Sequence, residues 1–306
     1  CGTATVTYAE VRTNGTCTYD YTLTRTWTAT DACGNTTSHN QVITVQDTSN
    51  PIFVESLPAN VTVECNAVPT PVTLTATDIC GTATVTYAEV RTNGTCIYEY
   101  TLTRTWTATD ACGNTTTHNQ VITVQDNSNP TFVESLPANA TVECNAVPTA
   151  VTLTAMDLCG TATVTYAEVR TNGTCTYDYT LTRTWTATDA CGNTTSHNQV
   201  ITVQDTSNPI FVESLPANVT VECNAVPTPV TLTATDICGT ATVTYAEVRT
   251  NGTCIYEYTL TRTWTATDAC GNTTTHNQVI TVQDNSNPTF VESLPANVTV
   301  ECNAVP

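Results

Sequence analysis

The sequence predicts an all-β protein: a tandem array of small antiparallel β-sandwiches stacked end to end as a rod. Three observations carry this expectation. The string CGTATVTYAEVRTNGTC begins at Cys1, Cys80, Cys159 and Cys238, a period of 79 residues. Apolar residues nowhere recur at the 3.6-residue spacing of a helix, whereas period-two alternation runs through every repeat. Each repeat also carries four cysteines, the covalent help that a unit of this size with a small core needs.

The repeat has a finer structure. Residues 1–148 match 159–306 except for Ala140 against Val298, so the chain is close to a doublet of 158 residues used twice. Such clean duplication points to a window on a larger protein. Turn-forming residues set the phase. The strings from Asp47 to Pro51, Asp126 to Pro130, Asp205 to Pro209 and Asp284 to Pro288 read as linkers. The domains that follow are 47–125, 126–204 and 205–283, flanked by the C-terminal part of a repeat (1–46) and the N-terminal part of another (284–306).

The elements follow in order through the 47–125 repeat. Ile52 to Cys65 rises from the end where the chain enters, kinked at Pro58. Val72, Leu74 and Ala76 alternate with threonines and return. Ala83 to Val90 rises again to an Asn93-Gly94 turn. The stretch from Tyr98 to Thr109 descends with Tyr98, Tyr100, Leu102, Arg104, Trp106 and Ala108 on one face and threonines on the other, a pattern that suits a half-buried pleated surface. After a Gly113-Asn114 turn, Thr117 to Val124 rises and leaves at the far end. Five or more strands in this length make a small two-sheet domain whose chain enters and leaves at opposite ends.

The same path groups the cysteines. Cys80 and Cys112 fall in turns at the near end, and Cys65 and Cys96 at the far end. Pairing like with like predicts Cys65–Cys96 and Cys80–Cys112, then Cys144–Cys175 with Cys159–Cys191, and Cys223–Cys254 with Cys238–Cys270. Zinc is the weaker reading, because the closely spaced cysteine pairs of zinc sites are absent.

Acidic residues gather at the near end of each repeat. Asp47, Asp78 and Asp110 form the first set, Asp126, Asp157 and Asp189 the second, and Asp205, Asp236 and Asp268 the third. Each aspartate is placed to cap its own turn. A converging set of three is also a candidate Ca²⁺ site at a domain junction, with oxygens from Asn50 and Asn114 to add. No cofactor is otherwise required.

Composition excludes other roles. Acidic residues number 27 against 8 basic ones, all arginine, for a net charge of −19. A nucleic-acid partner needs clustered basic residues that this chain lacks. No apolar run is long enough to span a membrane. Sixteen cysteines point to an oxidising compartment. His118 has no nucleophile or acid beside it and reads as a surface residue. Trp106 reads as a core anchor and Arg104 as the buried partner of Glu89 or Glu64. Sequons such as Asn60-Val-Thr62 recur, and a Lys–Asn crosslink is impossible without lysine.

The strings LPANVTVECNAVP, TLTATDICGTATVTY and YTLTRTWTATDACGNTTTHNQVITVQD resemble HYR-like (hyalin-repeat-like) domains with four cysteines. Such domains form long arrays in surface proteins of Bacteroidota, among them SprB-type gliding-motility adhesins exported by the type IX system. The resemblance covers essentially the whole repeat. It implies an immunoglobulin-like sandwich, a place outside the cell on a bacterial surface, and a stalk or adhesin role.

The expected function is therefore non-enzymatic: a disulfide-stapled rod or filament of a cell-surface adhesin. Its expected partners are neighbouring repeats of the same chain, with surface polysaccharide or another cell beyond them. The alternative is a multivalent module that binds glycans or ice through its threonine-rich sheet faces.

Overall fold

The computed structural model describes residues 2–303 and is all-β, with no helix among the described residues. Cys1 and residues 304–306 lie outside it. The chain divides into two compact units. One comprises Cys1–Leu136, Thr152–Tyr166 and Trp185–His197, the other Pro137–Val151, Ala167–Thr184 and Asn198–Pro306.

The first unit opens with β1 (Thr5–Asn14), β2 (Tyr21–Thr30) and β3 (Thr36–Val45), an antiparallel sheet in that order. Residues 47–125 then contribute β4 (Ile52–Phe53), β5 (Val61–Glu64), β6 (Ala76–Asp78), β7 (Gly81–Thr82), β8 (Thr84–Asn93), β9 (Tyr100–Thr109) and β10 (Thr115–Gln125). Their large sheet has the order β5-β10-β9-β8 and their small sheet the order β4-β6-β7. Most pairings are antiparallel, as the alternation predicts. The departure is β5, which runs parallel to β10 with Val61 opposite Ile122 and Glu64 opposite Gln125. The second departure is in the descent after Pro71. Only Ala76–Asp78 is paired there, although Leu74 ahead of it is buried.

β9 shows why the sequence alternates. Leu102, Arg104, Trp106 and Ala108 are buried, while the threonines between them are half-buried on the outer face. β10 answers with buried Gln120, Ile122 and Val124. Leu102, Ile122 and Val124 form the core cluster, with Val63, Cys65, Val68 and Tyr100 packed around it. Only a handful of aliphatic side chains build this core, as expected for a domain of this size.

Polar groups on the inner face are satisfied by the segment that crosses it. The Trp106 indole donates to the Val72 carbonyl at 3.1 Å. Arg104 donates to Glu89 at 2.7 Å and to the Pro69 carbonyl at 2.8 Å, so Glu89 rather than Glu64 is its partner. Gln120 donates to the Ala59 carbonyl, and Asn60 accepts the Val121 amide. His118 is not a surface residue: it is half-buried, its ring centroid is 6.1 Å from that of Trp106, and its Nε2 lies 2.9 Å from the Pro58 carbonyl.

The chain enters each repeat beside the start of the last long strand and leaves at its end. The Asn114 side chain binds the Asp47 carbonyl, and Glu64 pairs with Gln125 eleven residues later. The second unit repeats this arrangement: Val219–Glu222 lies parallel to Thr273–Gln283, and Asn272 binds the Asp205 carbonyl.

Candidate functional site

The site of interest is the junction between consecutive repeats. Among the described residues five disulfides are formed: Cys17–Cys112, Cys65–Cys159, Cys96–Cys191, Cys144–Cys238 and Cys175–Cys270. Each joins the far end of one repeat to the near end of the next. Their Cα separations of 5.0–5.8 Å are those of ordinary bridges.

This corrects all six expected pairs. Cys65–Cys96, Cys80–Cys112, Cys144–Cys175, Cys159–Cys191, Cys223–Cys254 and Cys238–Cys270 are not formed. Cys65 follows the edge strand β5, whereas Cys96 sits in the β8–β9 hairpin, with β10 and β9 between them. At about 4.8 Å per strand the two are roughly 12 Å apart, beyond the 7 Å reach of a disulfide. Cys80 lies in the small sheet's turn and Cys112 in the large sheet's turn, so the gap between layers, about 10 Å, separates them. Cys33, Cys80, Cys223, Cys254 and Cys302 are unpaired among the described residues.

Other contacts complete the junction. The Tyr98 ring lies on Gly160, beside the bridged Cys159, and leaves no room there for a Cβ; Tyr177 does the same at Gly239. Glu64 accepts the Asn127 amide at 3.2 Å, and Glu143 accepts the Thr206 amide at 3.2 Å.

The aspartates of each set cap turns. Asp157 accepts the Cys159 amide and Asp126 accepts the amide and hydroxyl of Ser128. Asp189 accepts the amides of Cys191 and Asn193 and the Asn193 side chain. Burial raises the Asp189 pKa, but these hydrogen bonds outweigh it and the carboxyl titrates below its ordinary value. Asp126 goes the other way. Burial, then the charges of Asp157 and Asp189, push its carboxyl up, and Asp205 is raised by burial and by Asp236, Asp268 and Glu143. In the 47–125 repeat, oxygens of Asp47 and Asp78 and the Cys80 sulfur lie within 4.8 Å of one another. The Cys80 thiol is raised by burial and by the Asp47 charge.

The threonine faces are largely self-satisfied. Thr84 and Thr86 donate to the carbonyls of Thr109 and Thr107 across β8 and β9, and Thr105 donates to Asn119.

A family model described as a HYR-like domain with 4 cysteines matches residues 53–124, 132–203 and 211–282. The chain belongs to this family. The HYR-like repeats thus number three within the matched residues, each carrying its own four cysteines. No protein of curated function matches the chain. Among solved structures it is similar to the protocadherin gammaB7 EC3-6 cis-dimer, at 12% identity and a TM-score of 0.35 over 92% of this chain and 94% of that one. Mouse cadherin-23 EC22-24 aligns at 14% identity and a TM-score of 0.34 over 77% and 99%. Drosophila N-cadherin EC1-4 aligns at 14% identity and a TM-score of 0.26 over 87% and 84%. These scores lie below the level at which a common fold or function is read.

The disulfides belong to an oxidising, extracellular setting. No helix among the described residues is long and apolar enough to cross a membrane.

Proposed function

We propose that this chain is the non-enzymatic, load-bearing segment of an extracellular adhesion protein, built so that tension cannot unravel it. The observation that carries this is the pairing of cysteines across junctions. One covalent path runs through Cys17–Cys112, along β9 to Cys96, across to Cys191, along the next central strand to Cys175, and on to Cys270. A second runs through Cys65–Cys159, back to Cys144, and on to Cys238. Each path spends only 15 or 16 residues per repeat, against 79 for the backbone.

The lengths decide the mechanical consequence. Sixteen residues extend to about 55 Å and 79 to about 270 Å at roughly 3.4 Å each. The eleven-residue β10 alone already spans about 36 Å. An oxidised repeat therefore gains on the order of 10–20 Å when pulled, and a reduced one more than 200 Å.

Single-molecule pulling tests this directly. Oxidised chains should break or detach without the long steps of domain unfolding, and reductant should restore them. Full-length unfolding steps from the bridged repeats under oxidising conditions would overturn the proposal. The finer assignment rests on the resemblance of the repeat strings: the surface of a Bacteroidota cell, type IX export, and a gliding adhesin of the SprB type reaching for polysaccharide or another cell. Units of 47–125, 126–204 and 205–283 are the repeats meant. Loss of surface adhesion or gliding on deleting the array from its host would support that assignment, and unchanged adhesion and gliding would refute it.

A further inference from the structure

We propose that each complete junction binds a Ca²⁺ ion between the last glutamate of one repeat and the aspartates of the next: Glu64 with Asp126, Asp157 and Asp189, and Glu143 with Asp205, Asp236 and Asp268. Two independent observations meet here. The first is the donor set. Oxygens of Glu64 and Asp126 lie within 4.8 Å of each other, and so do those of Glu143 and Asp205. Two oxygens sharing one Ca²⁺, at about 2.3–2.6 Å each, sit no more than about 5 Å apart. The sulfurs nearby, Cys159 and Cys238, are locked in disulfides and leave a purely oxygen set, which suits a hard cation.

The second observation is the state of the buried oxygens. Asp126 is 3% exposed and Asp205 is 6% exposed, yet Oδ2 of each is buried without a hydrogen-bond partner. Oδ1 of Asp157 and of Asp236 is likewise buried and unpartnered. In each aspartate the other oxygen is occupied by its own turn, so the free oxygens are the ones left for a ligand. An unpaired buried carboxylate is costly and calls for a counter-charge. No side chain can supply one. The chain has no lysine, and its eight arginines are committed elsewhere. Arg25, Arg104, Arg183 and Arg262 pair with glutamates within their own sheets. Arg12, Arg91, Arg170 and Arg249 lie over tyrosine rings.

In the Asp47 set the unbridged Cys80 thiol hydrogen-bonds to Asp47. Accordingly the Asp47 carboxylate is absent from the unpartnered oxygens, which are otherwise the same as in the next two repeats.

The test uses the whole oxidised chain, stripped of metal and titrated with CaCl₂ by calorimetry, with thermal melts in parallel. Saturation at one ion per complete junction is expected, with a dissociation constant on the order of 0.1–1 mM, as for extracellular Ca²⁺ modules. MgCl₂ should bind at least about ten-fold more weakly, because Mg²⁺ demands a tighter octahedral shell. The double variant Asp157→Asn with Asp236→Asn keeps an acceptor for the Cys159 and Cys238 amides while removing the charge. It should lose the Ca²⁺ response, and in EDTA it should melt about 2–4 °C higher than the parent, since a repulsive buried charge is gone. A merely structural carboxylate would instead lower the melting temperature. Absence of any Ca²⁺ response in the parent chain, or a carboxylic-acid infrared band at neutral pH showing that a proton fills the gap, would overturn the proposal. So would an unaltered response in the double variant. The bridges and the pulling behaviour stand independently of either result.

Discussion

Replacing Cys96 and Cys191 by serine removes one bridge of a junction and leaves Cys65–Cys159 in place. With that bridge present, the unfolded chain already joins the two repeats. The second bridge then closes a loop running from residue 65 to 96 and from 191 back to 159, about 65 residues, which chain entropy values at about 4 kcal/mol. The reciprocal variant, Cys65→Ser with Cys159→Ser, should cost the same, because the loop is common to both. Removing both bridges adds the closure of a full repeat, about 4.7 kcal/mol, for a total near 9. The assay is a urea titration followed by tryptophan fluorescence, since Trp106 and Trp185 are buried in the two repeats concerned. A loss under about 1 kcal/mol for either pair would refute the reasoning, for it would show that the bridge does not restrict the unfolded chain.

Further outcomes follow from the same contacts. A proteolytic cut engineered within 127–129 should leave both pieces on one band in a non-reducing gel and release them with reductant; release without reductant would contradict the two bridges of that junction. Gly160→Ala should cost about 1–3 kcal/mol by overpacking against Tyr98, and Tyr98→Phe in that background should recover part of it, both read by calorimetry. The Glu89 and Glu247 carboxyls are held below their ordinary range by hydrogen bonds from Arg104 and Arg262, then from Tyr87 and Tyr245. A depressed carboxyl stabilises the fold above its unfolded pKa, and that contribution disappears as pH falls through the folded value. Acid melts of Glu89→Gln with Glu247→Gln should therefore depend less on pH than those of the parent.

The strands were legible because alternation is a local signal. Leu102, Trp106 and Ala108 declare an inner face within a single strand, and β9 obeys it. The ends of the repeat were legible too, since turns such as Gly113-Asn114 fix where each strand reverses, with Gly113 at φ +89°. The disulfides were not, because the lateral distance between β5 and the β8–β9 hairpin is set by the strand order of the sheet, which the pattern of a single repeat does not declare. Sequence order states which end a residue occupies but not which edge of the sheet. The near-constant separations of 94 and 95 held the missing clue. A bridge between unlike positions one repeat apart is as available to a periodic chain as one within a repeat. The half-buried His118 escaped for a similar reason: its partners, Trp106 of β9 and the Pro58 carbonyl between β4 and β5, are distant in sequence.

The alternation of two repeat types has its physical counterpart at the junctions. In the first and third far ends the hairpin reads CTYDYT, and in the second and fourth CIYEYT. Asp20 accepts the amide of Asp47 at 2.8 Å, and Asp178 that of Asp205 at 3.0 Å, so the shorter acid ties the hairpin to the linker. Glu99 and Glu257 accept the hydroxyls of Thr95 and Thr253 in their own hairpins, as Asp20 and Asp178 also accept those of Thr16 and Thr174. The linker changes in step: Asp-Thr-Ser-Asn-Pro follows the aspartate hairpin and Asp-Asn-Ser-Asn-Pro the glutamate hairpin. Residues that covary across a junction while the core strands stay the same mark the junction as the place where the two repeat types differ in chemistry. A swap of Asp20 for Glu alone would break that match while leaving β2 and its pairings untouched. The doublet of 158 residues is thus a period of two kinds of joint superposed on a period of one kind of sandwich.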